Sequence, residues 1–215
     1  MPLTRENVKK ALDELRRHER RNFNQSLELI IKLKDVDLKK PENRLNESVV
    51  LPHPIGKPVR VCVIAGGDLA LKSKEAKADL VIGKEHLEEL AKDKKASRRL
   101  QNEYDFFIAE ASLMPLVGRT IGSTLGPRGK MPIPVRPDAS IHEVIEQARR
   151  TVRIRVRDQP VIQCRVGCEV MSDDELAENI QAAFTTVEGK LERGQRNISA
   201  VMIKTTMESP VSIPF

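Results

Sequence analysis

The chain has 215 residues, enough for one large or two small domains with cores of their own. Charged residues make up 32% and the formal net charge is +6, so a polyanionic partner is expected. Aromatic residues are only 3%, which argues against a module that reads single-stranded bases mainly by stacking. The apolar runs are too short for a membrane span, and the N-terminus lacks the apolar core of a signal peptide.

The N-terminal segment, residues 3–21, has the pattern of an amphipathic helix with Thr4 as its N-cap and an apolar stripe that starts at Val8. The opposite face carries the basic residues Arg5, Lys9, Arg16, Arg17, Arg20 and Arg21. This face is either solvated or in contact with RNA, and the pattern leaves both interpretations open.

A half-buried strand is predicted next, over Ser26–Lys34, because apolar and other residues alternate there. Residues 35–48 are predicted to be a loop, and Val49–Leu51 a short strand. The segment Pro52–Gly56 contains two prolines and a glycine, which interrupt regular structure and predict a hinge.

The middle of the chain has a different pattern. Val59–Ala65 is almost continuously apolar, as in a strand covered on both faces, and short apolar runs at 80–82 and 104–109 alternate with helical stretches. Such alternation predicts an open parallel α/β domain. Ser140 and Glu143 have the spacing of a capping box for a helix that ends near Arg150.

After residue 151 the alternation returns, and a turn at 158–160 predicts a hairpin between the segment that starts at Val152 and Val161–Gly167. One face of this hairpin would carry Arg153, Arg155, Arg157, Gln163 and Arg165. Ser172 and Glu175 form a capping box for a long helix, and Ile198–Thr206 is the last predicted strand.

These patterns predict an α/β protein of two domains. Residues 1–54 and 153–215 would together form a split α/β sandwich with an antiparallel sheet, and residues 55–152 an inserted Rossmann-like domain. The chain would cross between the domains twice, which permits relative motion.

The stretch Gly118–Pro134 contains glycines at 118, 122, 126 and 129. It is not a phosphate-binding P-loop, because Thr124 stands where the first glycine is required and Met131 where the hydroxyl is required. Glycines one helical turn apart instead indicate a helix face that packs closely.

Catalytic chemistry is not indicated. The four histidines are scattered, the paired acids lie on predicted helix surfaces or in first turns, and the stretch after the first inserted strand lacks a dinucleotide fingerprint. We therefore expect no enzyme, no cofactor and no metal site; the rival hypotheses are a nucleotide-dependent enzyme and a protein-binding adaptor. Cys62, Cys164 and Cys168 lie in apolar segments and are expected to be reduced core residues.

Four motifs occur in an order that resembles the large-subunit ribosomal protein L1 family, archaeal type. They are Leu51-Pro52-His53 with Gly56-Lys57, Val59–Ala65, Leu125–Pro132 (LGPRGKMP) and Thr205-Thr206-Met207. The resemblance covers essentially the whole chain. It implies the split-domain layout and a structural constituent of the large ribosomal subunit.

The resemblance also implies partners: the L1-stalk region of large-subunit ribosomal RNA, transfer RNA leaving the exit (E) site, and the protein's own messenger RNA, whose translation it would repress. The protein would be cytoplasmic, ribosome-associated and monomeric when free, and would bind no membrane.

The RNA contacts implied by the resemblance centre on Phe23, Ser26, Glu28, Thr206 and Met207, which match the family by position. The full set of predicted RNA-binding residues is Phe23, Ser26, Glu28, Lys32, Arg153, Arg155, Arg157, Gln163, Arg165, Lys204, Thr205, Thr206, Met207 and Glu208. The family has Gly-Pro-Ser where this chain has Glu208-Ser209-Pro210, which places a contact by Glu208 in doubt. Without the resemblance, Phe23 and Met207 would be interpreted as ordinary core residues.

Overall fold

The computed structural model describes residues 3–17, 21–38, 45–156 and 159–215, without the side chain of Lys94. The chain forms two compact units. The split unit contains Met1–Lys57 and Arg150–Phe215, and the inserted unit contains Pro58–Arg149. Antiparallel and parallel sheets occur together with helices, which confirms the predicted α/β fold class.

The helices and strands follow one another along both units. The α-helices are α1 (Arg5–Leu15), α2 (Gly67–Glu75), α3 (Lys84–Lys92), α4 (Lys94–Glu103), α5 (Met114–Thr120), α6 (Gly122–Leu125), α7 (Ile141–Arg150) and α8 (Asp173–Lys190). The strands are β1 (Ser26–Leu33), β2 (Asn46–Val50), β3 (Val61–Ile64), β4 (Leu80–Ile82), β5 (Phe106–Glu110), β6 (Ile133–Val135), β7 (Thr151–Arg155), β8 (Val161–Cys168), β9 (Ile198–Thr205) and β10 (Val211–Ile213).

The split unit is built on a four-stranded antiparallel sheet in the order β10-β9-β1-β8. Helices α1 and α8 pack on this sheet and on each other. Leu29 and Ile31 of β1 are completely buried, whereas Glu28 is partly exposed and Lys32 is exposed. Since side chains alternate between the faces of a strand, the helices cover one face and Glu28 and Lys32 lie on the other, which we call the outer face.

The predicted hairpin between β7 and β8 is wrong for the described residues. Strand β7 pairs with β2, through Arg155 opposite Asn46 and Arg153 opposite Ser48, whereas β8 pairs with β1. The prediction missed β2 because its polar residues made Asn46–Ser48 look like a loop. Strand pairing uses backbone N–H and C=O groups, so the polar side chains of β2 do not prevent all five of its residues from pairing with β7.

The ends of the two long helices of the split unit are defined by capping. The backbone N–H of Asn7 donates to Thr4 Oγ1 at 3.4 Å, and Ser172 forms the predicted capping box with Glu175. Helix α1 ends at Leu15, earlier than predicted, because the chain turns at 16–17. The segment 18–20 lies outside the described residues.

The inserted unit contains a parallel sheet in the order β4-β3-β5-β6. All four residues of β3 are completely buried, as predicted for a strand with both faces covered. Phe107 of β5 packs in the same core and meets Tyr104 edge-on, with ring centroids 6.5 Å apart. This sheet confirms the predicted open parallel α/β arrangement.

The glycine spacing does not form the predicted helix face. Helix α5 ends at Thr120 and α6 begins at Gly122, and a Cβ atom placed on Gly118 or Gly126 would meet no atom within 4 Å. Close packing therefore does not require these two glycines. Gly129 is required for a different reason, because its φ of +70° lies in the left-handed region.

The three cysteines are buried and free, as predicted. Burial raises the pKa of the Cys62 thiol and of the Cys164 thiol to about 12. Both are therefore protonated, unreactive core residues at neutral pH.

Candidate nucleic-acid interface

The outer face of the four-stranded sheet carries a row of charges across three strands. Glu28 of β1 lies opposite Lys204 of β9 on one side and opposite Arg165 of β8 on the other. Directly opposed side chains on one sheet face have Cβ atoms about 4.5–5.5 Å apart. Two cations therefore flank one carboxylate on a partly exposed surface. Exposed Gln163 and Lys32 extend the polar surface along the strands.

Two large apolar side chains border this face at the end where β1 begins and β9 ends. Phe23 is 51% exposed and Met207 is 63% exposed. Interpreting them as core residues is therefore wrong. An aromatic ring and a flexible thioether beside a polar, basic surface are suited to contact with bases and sugars.

Thr206 connects the ends of the two strands. Its Oγ1 accepts a hydrogen bond from the backbone N–H of Ser26 at 3.2 Å and lies 3.4 Å from the Ser26 carbonyl oxygen, to which it donates. The regular register between the strands ends one residue earlier, at Leu27 opposite Thr205. The Thr206 hydroxyl therefore extends the pairing by one residue, and we call this contact the Thr206 clasp.

Gln25 is a residue of this region that the sequence reasoning missed. The residue is only 1% exposed, and its Oε1 accepts a hydrogen bond from the backbone N–H of Met207 at 3.1 Å. Its carbonyl accepts from the backbone N–H of Glu169 at 3.0 Å. Gln25 therefore holds together the segments that follow β9 and β8. The sequence did contain a signal: Gln25 continues the alternation of Leu27, Leu29 and Ile31, which are buried. A polar residue at such a position is expected to be buried and hydrogen-bonded.

Glu208, the residue that departs from the family pattern, is paired within the protein. Arg21 Nε lies 3.3 Å from Glu208 Oε1, and the Glu208 side chain is only 15% exposed. The guanidinium offsets a negative charge that would otherwise repel phosphate at this position.

The remaining predicted residues are not all brought to this surface. Thr205 is buried on the helix-covered face, in the row of Leu27. Arg153 and Arg155 lie partly buried in the sheet of β2 and β7, apart from the sheet that contains Gln163 and Arg165. Arg157 lies outside the described residues.

Part of the basic face of α1 is used inside the protein. Arg5 and Lys9 contact Asp174 at 2.8 and 2.7 Å, and Arg16 contacts Asp173 at 2.6 Å. The hydrogen bond and charge of Lys9 are the main causes that lower the pKa of the Asp174 carboxyl. These three basic side chains remain 42–48% exposed, so they form surface ion pairs with the first turn of α8.

The alternative of a nucleotide-dependent enzyme finds no support at the start of α2, where a dinucleotide phosphate would bind. There Glu110 Oε2 accepts from the backbone N–H of Gly66 at 3.1 Å, so a carboxylate lies where a phosphate would need to approach. Within the described ranges, no group of three His, Cys, Asp or Glu side chains could hold a metal ion. No helix in the described part of the chain is long and apolar enough to cross a membrane.

The fold and the site together define a two-unit α/β protein with a polar, partly basic sheet face suited to binding. The chain belongs to the ribosomal protein L1p/L10e family, whose model matches residues 15–209. It is 49% identical over 208 residues to the large ribosomal subunit protein uL1 of Methanothermobacter thermautotrophicus, which covers 97% of each chain.

Two further relatives carry the same name. The protein of Methanothermococcus thermolithotrophicus is 50% identical over 212 residues, covering 98% of this chain and 99% of the relative. The protein of Pyrococcus horikoshii is 47% identical over 215 residues, covering 99% of this chain and 98% of the relative. Membership of a ribosomal protein family agrees with the resemblance of the four motifs.

Proposed function

We propose that this chain is a structural constituent of the large ribosomal subunit and binds the L1-stalk region of its ribosomal RNA. The contact surface is the outer face together with Phe23 and Met207. The observation that carries the proposal is the exposure of these two apolar side chains beside the charged row of Lys204, Glu28 and Arg165. Family membership supports the same role.

Each part of the surface has a distinct task in this proposal. Lys204 and Arg165 neutralise phosphates, which supplies salt-dependent affinity. Glu28 lies between them and accepts a hydrogen bond from a 2′-hydroxyl or a base amino group. This contact distinguishes RNA groups that phosphate contacts alone do not recognise. Phe23 and Met207 exclude water at the edge. Thr205 is left out of this interface because it is buried on the other face.

The Thr206 clasp and Gln25 act as positioning residues. In the clasp, the Thr206 hydroxyl accepts from the Ser26 N–H and donates to the Ser26 carbonyl oxygen. The Gln25 side chain accepts from the backbone N–H of Met207. Together they fix the segment of Phe23 beside Met207 before RNA arrives. Such preorganisation lowers the entropic cost of binding.

Two finer roles rest on the family resemblance. The chain assists the movement and release of deacylated transfer RNA from the E site. It also represses translation of its own message by binding a mimic of the ribosomal site. Because the stalk RNA and the message would occupy the same surface, a stalk transcript should displace the message from the protein. Simultaneous binding of both RNAs would exclude a shared site.

The test of the main proposal is the affinity of the full chain for a stalk transcript, with Phe23→Ala and Met207→Ala as variants. Stacking on an aromatic side chain is worth about 1–3 kcal/mol, so Phe23→Ala should weaken binding by about five- to hundredfold. Leu71→Ala is the matched control, since Leu71 is 61% exposed in the inserted unit. Unchanged affinity of both outer-face variants would place the site elsewhere.

A further inference from the structure

The LGPRGKMP motif of the inserted unit takes no part in the outer face, and two of its residues have structural tasks. Lys130 Nζ donates to the carbonyl oxygens of Gln101 and Tyr104 at 2.9 and 2.7 Å, at the end of α4. Gly129 adopts the left-handed conformation that follows the short 3₁₀ helix Gly126–Arg128. The two hydrogen bonds of Lys130 attach the motif to the end of α4, and Gly129 provides the turn that precedes Lys130.

A polar cleft of about 560 Å³ lies between the motif and α4, and we call it the α4 cleft. Its polar lining includes Arg98, Asn102, Thr120, Ser123, Thr124 and Arg128. Arg98 and Asn102 are one helical turn apart on α4 and therefore point to the same side. Arg128 comes from the motif, so the two guanidinium groups enter the cleft from different elements.

The positive charge of the α4 cleft is not offset by carboxylates. No acidic residue is among the lining residues, and in the described part of the chain no carboxylate ion-pairs with Arg98 or Arg128. Arg128 Nη1 donates to Asn102 Oδ1, which is neutral. The one acid within α4, Glu103, instead pairs with Arg60 at 3.2 Å.

The hydroxyls of the cleft add hydrogen-bonding capacity. Thr120 Oγ1 donates to the carbonyl of Leu116 at 2.9 Å, which leaves its lone pairs available to accept from a ligand hydroxyl. Ser123 is exposed on the next helix. Two guanidinium groups with neighbouring hydroxyls match a phosphodiester and its ribose, since guanidinium binds phosphate in a bidentate manner.

We propose that the α4 cleft is a second RNA-binding site, which holds the phosphodiester backbone of a single strand. Exposed Lys95 and Arg99 extend the basic surface along α4 beyond the cleft, as an elongated polyanion requires. A protein partner is the weaker match, because the described residues that line the cleft include no aromatic side chain of the kind that anchors protein interfaces. The site is separate from the outer face and does not depend on it.

The experiment measures binding of a fluorescein-labelled 12-nucleotide oligouridylate to the full chain over a series of salt concentrations. The main variant is Arg98→Gln with Arg128→Gln. Loss of two phosphate contacts on a single strand should flatten the slope of log affinity against log salt by about 1.4. Lys72→Gln with Lys74→Gln is the matched control, because both lysines are exposed on α2 in the same unit and lie outside the cleft.

Within the described residues, Arg98 has no hydrogen-bond or ion-pair partner, so Arg98→Gln alone should flatten the slope by about half as much and leave the melting temperature unchanged. Ser123→Asp places a carboxylate in the cleft and should weaken oligouridylate binding at least as much as the double variant.

An unchanged slope in the arginine variants, or an equal loss of affinity in the lysine control, would overturn the proposal. Polyglutamate is a polyanion without phosphates. If it bound as tightly as oligouridylate and lost this affinity in the arginine variants, the cleft would not be specific for a phosphodiester backbone and the proposal would be overturned. Binding of the stalk transcript by the Phe23→Ala variant reports separately on the outer face.

Discussion

Replacement of Thr206 by valine tests the link between the architecture of the split unit and its RNA site. Valine keeps the β-branched shape but removes the hydroxyl that pairs with both Ser26 N–H and Ser26 C=O. Ser26 is only 9% exposed, so water replaces these bonds poorly. Thr206→Ser is the matched control, since serine retains the hydroxyl.

The expected loss is about 1–2 kcal/mol of unfolding free energy, the cost of leaving a mostly buried backbone donor without a partner. The 3.4 Å separation to the Ser26 carbonyl is long for such a bond, which favours the lower half of that range. For a chain of this length the melting temperature should fall by about 2–6 °C. Chemical denaturation should show a lower midpoint with an unchanged m-value.

The same substitution should weaken stalk-transcript binding by about tenfold, because the segments that carry Phe23 and Met207 lose a connection that holds them together before the RNA arrives. Thr206→Ser should stay within about threefold of the parent. If Thr206→Val kept both its melting temperature and its RNA affinity, the clasp would have no role. Loss of affinity with unchanged stability would assign the hydroxyl to a direct RNA contact and refute the positioning role.

Two further predictions concern charge. Arg21→Ala removes the ion pair with Glu208 at 3.3 Å and should reduce stalk affinity, whereas adding Glu208→Gly should restore part of it. A double-mutant cycle on the dissociation constant measures this coupling, and simple additivity would contradict it. The pKa of the Asp174 carboxyl is lowered in the folded protein, mainly by Lys9. The ion pair of Asp174 therefore contributes its full stability above the unfolded pKa of aspartate, near 4. This contribution is lost as the pH falls through the lower pKa of the folded state. Lys9→Met should therefore be less stable than the parent at pH 7, with the difference vanishing in acid; a constant difference in the unfolding free energy from pH 7 to pH 3 would contradict this.

Local patterns were enough to predict much of the fold. The alternation in β1 and β8 and the uninterrupted apolar run of β3 report how many faces of each strand are covered, which is a local property. The capping box of α8 is also local, since Ser172 and Glu175 satisfy each other's backbone groups. Strand partners are not local. Strand β7 pairs with β2 across about a hundred residues, and no turn signal in the chain encodes that choice.

The candidate site was predictable in its residue types but not in its construction. Whether Phe23 and Met207 are buried depends on where their strands end; their apolar character alone favoured burial, whereas both are exposed. The Thr206 hydroxyl was predicted to contact RNA, and nothing in the sequence indicated that it also bonds to Ser26. Gln25 was missed because a buried glutamine is recognisable only once its partner, the Met207 backbone, is brought near.

The central claim is that the outer face and its bordering residues contact ribosomal RNA, and ultraviolet cross-linking of the full chain to a stalk transcript tests it most directly. Mass spectrometry of the digested complex should find cross-linked nucleotides on the peptides that contain Phe23 and Met207. Excess unlabelled transcript should remove these cross-links, whereas an unrelated RNA of equal length should not. Cross-links that occur only in Pro58–Arg149, with none on the two outer-face peptides, would contradict the assignment of the site to the split unit.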